Sequence, residues 1–459
     1  MSTGTERRYP LLGFPDDSVF ADGIVGLEST IKEGNFIGAS EKIDFLIKEG
    51  KKYLEEEDWF KAAQGFSQII NTSLPLSDKI SIGKVVGPLP EVQGKIVKSL
   101  CQSINFFSKS CYFLADNPPD GIDEEELVKL SHLFLDVEHK LGEDSGDEVV
   151  CIKAKGNQIM LKTRSALVKF YEKGERTQAR GDFKGIIDEM KFNIHWGKII
   201  RKGAQGNDLV SLNYVANFYN SLADACLKLG QMSEPEQAAA YILEAREALK
   251  KALDLHLPFL EGKSLDQPLN QVKMAVYSNY AYTYVFQLYN YPDFSHTNLL
   301  DYLNGDMFIY FRDFINTLDN SQREENKEYF KIEANLRCAL IAGLFLKARG
   351  PKSQTVSHEN NYSKAESKVL NLLLGYLGNM ELSMEFDQLG PVPPDVNILK
   401  KLVATFLNKA ISEIKQPPLE SNGKLKRPEK VDQIEVNRVR EIFYNLGWTE
   451  PPAKLREII

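Results

Sequence analysis

The sequence predicts an all-α fold, a right-handed solenoid of antiparallel helix pairs. Three observations lead to this prediction. Apolar residues recur at steps of three and four along most of the 459 residues, which is the spacing of amphipathic helices. Small residues lie where two neighbouring helices must approach each other closely. The pattern of one such pair returns further along the chain, and a single pair cannot bury its own apolar face.

The composition allows a large core and argues against several kinds of function. Hydrophobic residues make up 43% of the chain, and 64 acidic against 56 basic residues give a net charge of −8. This balance disfavours nucleic-acid binding, which needs a basic surplus. No apolar run approaches the roughly 18 residues of a membrane span, and five cysteines without a C-x-x-C pair favour reduced thiols. We therefore expect a cytoplasmic protein with no membrane span, with the nucleus left open.

Punctuation by Gly and Pro divides the chain into four predicted regions. Residues 1–35 are expected to form a flexible arm or a capping strip before the first repeat. Residues 36–206 are predicted to form N-terminal helical repeats and residues 207–390 C-terminal repeats. Residues 391–459 are predicted to be terminal helices, with an exposed linker at 416–430.

The clearest helix pair lies within residues 43–76. Its break is expected at Glu57 and Asp58, and Pro75 is expected to end the second helix. We expect Gly50 and Ala62 to face each other where the helices cross. The packing positions are Leu46, Gly50 and Tyr53 on the first helix and Ala62, Phe66 and Ile69 on the second.

These six positions resemble the tetratricopeptide-repeat family, whose period is about 34 residues. The sequence departs from the family at Glu49, where the family prefers Leu. The resemblance implies a stack of helix pairs that binds a protein partner. Further pairs follow from Asp208, and their period drifts above 34. Their helices are predicted within 209–230 and 244–253, 276–289 and 298–318, and 326–348 and 363–386.

Polar residues form the first candidate binding surface. Asn carries a donor and an acceptor on one short side chain, so a row of Asn can hold a peptide backbone. The alternative is a solvated helix face. The row comprises Asn213, Asn217, Asn220 and Asp224, with Asn279 at the corresponding region of the next repeat.

Aromatic residues are dense between Tyr277 and Phe314. One helical face cannot bury all of them, so Tyr280 and Tyr284 are candidates for a partner surface, with a purely structural role as the alternative.

A basic helix face is the second candidate surface. Lys191, His195, Lys198 and Lys202 step by four, three and four residues, with Arg201 beside them. The stretch around them carries a strong positive excess, whereas residues 116–148 carry a negative one. An acidic protein partner would fit this face, and solvated helix faces are the alternative.

The sequence lacks the familiar motifs for catalysis and cofactor binding. The sequence holds no phosphate-binding glycine loop, no G-x-S-x-G elbow and no histidine set completed by cysteines or carboxylates. We expect no catalytic residues, no metal and no cofactor, and hence a protein that is not an enzyme. A helical enzyme with an unrecognised site is kept as an alternative.

A second resemblance covers residues 257–378. The run FLEGKSLDQPLN, a Tyr-rich helix, LNGDMFIYFRDFINTL and NLRCALIAGLF follow each other as in the kinesin-binding protein family. That resemblance implies a cytosolic regulator that captures a kinesin motor domain. Our main expectation is broader: a scaffold or adaptor that binds a helix or an extended peptide of a protein on the concave face of the solenoid.

Overall fold

The architecture was obtained from a computed structural model, and its described residues contain helices and no strand. They are residues 12, 17–56, 58–81, 90–114, 123–171, 173–203, 209–260, 268–290, 305–319, 324–348, 369–376 and 396–415. The prediction of an all-α fold of paired helices is confirmed for this part of the chain. No helix within it is both long enough and apolar enough to cross a membrane.

The chain divides into two compact units. Unit 1 comprises Met1–Arg164 and Trp196–Gly206, and unit 2 comprises Ser165–His195 and Asn207–Ile459. The boundaries predicted at 206/207 and 390/391 stay predictions, and the predicted linker at 416–430 lies outside the described residues.

The first seven helices run from Ser18 to Gly203. They are α1 (Ser18–Lys32), α2 (Phe36–Glu55), α3 (Trp59–Ser81), α4 (Pro90–Leu114), α5 (Glu124–Ser145), α6 (Glu148–Tyr171) and α7 (Arg176–Gly203). Within unit 1, each helix from α1 to α3 packs on the next one and on the one after that, and α4 packs on α5. This first- and second-neighbour packing is the pattern of a helical repeat array.

In the part of the chain that the structure describes, six helices of at least 14 residues follow, all in unit 2. They are α8 (Leu209–Gln231), α9 (Pro235–Leu260), α10 (Pro268–Asn290), α11 (Asp306–Asp319), α12 (Glu324–Ala348) and α13 (Val396–Lys415). Residues 369–376 are also helical. Helix α10 packs against α8, α9, α11 and α12. It is therefore covered on several sides, which explains why its apolar residues do not keep to one face.

Helix α1 lies within residues 1–35, for which the sequence left a flexible arm or a capping strip open, and an ordered helix over Ser18–Lys32 agrees with the capping alternative. The Asp17 side chain caps this helix by accepting from the Val19 N–H at 2.9 Å. Phe20, Ile24 and Leu27 are buried in the core of unit 1. Burial of three large apolar side chains holds residues 18–32 in place, and residues 1–11 lie outside the described part.

Helices α2 and α3 form the pair that the sequence predicted, with one correction. The break is confirmed, because α3 begins after Asp58, whose carboxylate accepts from the Lys61 N–H at 3.0 Å. Pro75, however, lies inside α3 and does not end it. Leu76 after it is fully buried, and this burial offsets the missing backbone donor.

Gly50 lies where α2 meets α3, and its place opposite Ala62 stays a prediction. A Cβ atom placed on Gly50 would lie 2.9 Å from Cζ of Phe66. The glycine therefore makes room for the Phe66 ring of α3, and Ala62 of the same helix is buried in the same core.

Side-chain hydrogen bonds connect alternate helices at a nearly constant sequence separation. In unit 1, Ser99 of α4 bonds to Asp44 of α2, 55 residues away, and Asn157 of α6 bonds to Asn105 of α4, 52 residues away. In unit 2, the separations are 57, 59 and 58 residues, for Lys228 with Tyr171, Asn279 with Asn220, and Arg337 with Asn279. The repeat of this chain is therefore a pair of long helices, with a period well above the tetratricopeptide value of about 34.

Candidate interaction site

The candidate site is a line of polar contacts across α8, α10 and α12, which we call the polar seam. The Asn279 amide nitrogen donates to Asn220 Oδ1 at 3.0 Å, and the Asn279 oxygen accepts from Arg337 Nη2 at 3.4 Å. The sequence predicted that Asn220 and Asn279 lie at corresponding positions of successive repeats, and the structure brings them together. Asn279 uses both ends of its amide to bridge three helices.

Arg337 anchors the seam on α12. Its Nη2 donates to Glu333 Oε1 at 2.8 Å, one helical turn away, and its Nε donates to Ser278 Oγ at 3.4 Å. The guanidinium carbon lies 3.6 Å from the centroid of the Tyr282 ring. The Arg337 and Glu333 side chains are only 12% and 9% exposed, so this ion pair is shielded from solvent.

A second arginine holds the opposite side of α10. Arg246 of α9 stacks over Tyr284 at 3.8 Å, and its guanidinium donates to Thr283 Oγ1 at 3.2 Å and to Gln287 Oε1 at 2.6 Å. Residues 282 and 284 project in different directions from a helix. Helix α10 is thus fixed by one stacked arginine from each neighbouring repeat.

The tyrosines that were candidates for a partner surface are packing residues. Tyr280 and Tyr284 are 3% and 8% exposed, and their hydroxyls lie 3.2 Å apart. The structure corrects the interpretation that they line a surface, because helices on several sides of α10 cover them. Burial raises the pKa of neighbouring Tyr277 to about 12, with the charge of Asp313 as a smaller cause.

The residues of the predicted polar row that reach solvent lie on α8, on what we call the α8 face: Asn217, Asn220 and Asp224. Asn217 is exposed, and Asn220 and Asp224 are half-buried. Positions 217, 220 and 224 step by three and four and share one side of the helix. Asn213 lies on the same helix, but its side chain is outside the described part.

The basic face on α7 is only partly described. Lys191 Nζ lies 2.5 Å from Glu244 Oε1 of α9, and this hydrogen bond is the main cause that raises the pKa of Lys191. His195 is exposed. Lys198, Arg201 and Lys202 belong to α7, but their side chains lie outside the described part. Of the predicted basic face, Lys191 thus has its charge compensated by the Glu244 carboxylate.

Arg337 and Glu333 were not among the site residues predicted from the sequence. Glu and Arg four residues apart on a helix form a recognised ion-pair spacing, and the run EANLR carries it. That signal occurs on many solvated helix faces, so it could not have placed Arg337 against a tyrosine 55 residues earlier. Among the described residues, no group of three or more His, Cys, Asp or Glu is arranged to hold a metal ion.

Comparisons with known proteins give the chain no family. No protein-family profile matches it, and no curated protein matches it. One solved structure is described as a "Circular tandem repeat protein with novel repeat topology and enhanced subunit contact surfaces". Its sequence is 10% identical to this one, the matched region covers 96% of this chain and 96% of that chain, and the TM-score is 0.31. A score this low supports no argument about fold or function.

Proposed function

We propose that the protein is a non-enzymatic scaffold or adaptor that holds a helix or an extended peptide of another protein against the α8 face. The observation that carries the proposal is the arrangement of that face. Asn217 is exposed and Asp224 is half-buried, while Asn220 between them is fixed in orientation by its hydrogen bond from Asn279. Fixed polar groups bind with a smaller loss of side-chain entropy.

The α8 face is favoured over the basic face of α7. Amides and a carboxylate offer donors and acceptors suited to a peptide backbone and to a basic or hydroxyl side chain. Lys191 on the basic face is already paired with Glu244. All five cysteines are buried free thiols, which supports placing the protein in a reducing compartment such as the cytoplasm. Binding of a kinesin motor domain stays a prediction.

Selection of a peptide-display library on the purified full-length chain tests this proposal. Peptides that bind the wild type are counter-selected on an Asn217→Arg, Asp224→Arg variant, whose added side chains obstruct the α8 face. The matched control is Glu236→Arg, at an exposed position on α9. Peptides that bind the wild type and the control but not the double variant are expected.

Rates measured on a selected peptide separate the two surfaces. An Asn217→Ala, Asp224→Ala variant should release the peptide faster, with little dependence on salt. Binding through the basic face would instead show slower association in a Lys191→Glu, Lys198→Glu, Lys202→Glu variant and weaken with salt, since exposed charges are screened over about 8–10 Å. The α8-face proposal is abandoned if peptides bind all variants alike.

A further inference from the structure

Unit 1 contains a carboxyl group that is fully enclosed by protein. Glu138 lies on α5 with no exposed surface. Its Oε1 accepts from the Asn105 amide nitrogen of α4 at 2.6 Å. Its Oε2 is also buried and has no hydrogen-bond partner in the described part of the chain. A buried acceptor without a partner is uncommon and calls for a physical explanation.

The neighbouring amides extend this contact over three helices. The Asn105 amide nitrogen donates both to Glu138 and to the Cys101 carbonyl oxygen, the latter at 2.9 Å. The Asn105 oxygen accepts from the amide nitrogen of Asn157 on α6. A change in charge at Glu138 therefore acts directly on a bridge that joins α4, α5 and α6.

Few charges are available to compensate an ionised Glu138. Among the described residues, Lys153 of α6 is the charged group whose electrostatic interaction lowers the pKa of Glu138. Cys101 of α4 carries a titratable thiol whose pKa is raised by burial and in part by the charge of Glu138. Helix α3 also packs on α5, and none of its described charged side chains acts on Glu138. Burial raises the pKa of Glu138 to about 8, while the Asn105 hydrogen bond and Lys153 act in the opposite direction.

We propose that Glu138 is a proton-dependent lock on the packing of α4, α5 and α6. When Glu138 is protonated, its neutral carboxyl keeps the hydrogen bond from Asn105 and can remain buried at a small cost in free energy. Without the proton, Oε1 and Oε2 share a negative charge that water cannot reach, which is far more costly than a buried neutral group. The three helices then open locally, and the carboxylate becomes hydrated.

The direction of the pH effect follows from proton linkage. Glu138 has a higher pKa in the closed state, about 8, than its ordinary value of 4.5 when exposed. Between these two values the closed state binds one proton more than the open state. Closed packing is therefore most stable below pH 4.5, weakens steadily as the pH rises toward 8, and changes little above that value.

Hydrogen exchange of the full-length chain measures the opening. Peptides from α4, α5 and α6 are compared at about pH 6.5 and about pH 9, with labelling times scaled so that intrinsic chemical exchange is equal. Protection in these helices should fall by about 30-fold at the higher pH. Peptides from α10 in unit 2 serve as an internal reference and should change much less.

Two substitutions and one matched control complete the test. Glu138→Gln keeps the oxygen that accepts from Asn105 and cannot ionise, so its protection should not depend on pH. Glu126→Gln, at an exposed carboxylate of the same helix, should behave as the wild type. Lys153→Met removes the charge that favours the ionised form, which raises the closed-state pKa further, so the loss of protection at about pH 9 should become larger than in the wild type.

The outcomes decide the proposal even if Glu138→Gln fails to fold, because the wild-type pH profile and the larger loss of protection expected for Lys153→Met can each be measured without that variant. Wild-type protection in α4, α5 and α6 that is equal at the two pH values overturns the lock. A pH-dependent loss that persists unchanged in a folded Glu138→Gln variant overturns it as well.

Discussion

Asn279 donates a hydrogen bond to Asn220 across 59 residues of sequence, and this 3.0 Å contact joins two alternate helices of unit 2. Because Asn279 also accepts from Arg337, its loss would affect both flanking helices.

Replacement of Asn279 by Ala is expected to lower the free energy of unfolding by about 1–3 kcal/mol, since a half-buried acceptor on Asn220 would lose its donor. Thermal unfolding followed by circular dichroism measures this change. The control, Asn217→Ala at an exposed position of α8, should stay within about 0.5 kcal/mol of the wild type. In a double-mutant cycle, the effects of Asn220→Ala and Asn279→Ala should not add; full additivity would mean that the two amides are not coupled.

Removal of Arg337 should destabilise unit 2 strongly. Arg337→Met leaves the Glu333 carboxylate shielded and without its cation, which costs about 3–5 kcal/mol. Adding Glu333→Gln removes that charge and should recover at least half of the loss. Denaturant unfolding of both variants measures the recovery. A double variant that is less stable than the single one would show that charge compensation is not what Arg337 supplies.

Gly50→Ala is expected to destabilise unit 1 by about 1–3 kcal/mol, because the new Cβ would lie 2.9 Å from the buried Phe66 ring. The matched control is Gly94→Ala on α4, where nothing lies within 4 Å of the added Cβ. That change should raise stability by about 0.5–1 kcal/mol, because Ala favours a helix over Gly. Equal melting temperatures for the two variants would contradict the close contact of Gly50 with Phe66.

Tyr53 should control the acid stability of α1. Its hydroxyl donates to Asp17 Oδ2 at 2.5 Å, and this hydrogen bond is the main cause that lowers the pKa of Asp17 below 3.8. The contribution of Asp17 to stability is therefore present above pH 3.8 and is lost as the pH falls through its lower folded pKa. Tyr53→Phe should raise the pKa of Asp17, as measured by carbon NMR of the carboxyl group. An unchanged Asp17 titration would rule out this contact in solution.

Periodicity predicted the helix class well because it reports which residues share a face. Leu46, Phe66 and Ile69 are buried as the spacing indicated, and the break before α3 occurs at Asp58. Periodicity reports neither what surrounds a helix nor how many sides are covered. Tyr280 and Tyr284 therefore looked like surface residues until α8, α9, α11 and α12 were placed around α10.

The candidate site was predictable only in part, for a related reason. Asn220 and Asn279 stood out because two amides recurred at equivalent places. Arg337 did not stand out, because its role depends on contacts with Tyr282, Ser278 and Asn279 of another helix. The prediction that Pro75 ends α3 was wrong because it considered only the lost backbone hydrogen bond. It did not include the stabilisation from burying the next residue, Leu76.

The spacing of the hydrogen bonds between alternate helices sets how such a chain can change in length during evolution. Each of the separations of 52 to 59 residues spans two helices, so loss of one helix would leave Asn279 or Arg337 facing an unrelated side chain. Duplication or deletion of a whole helix pair would instead keep the alternation of helices on which these contacts depend. The heritable module of this protein is therefore the pair, and genetic insertions that respect it are the ones that a folded descendant can retain.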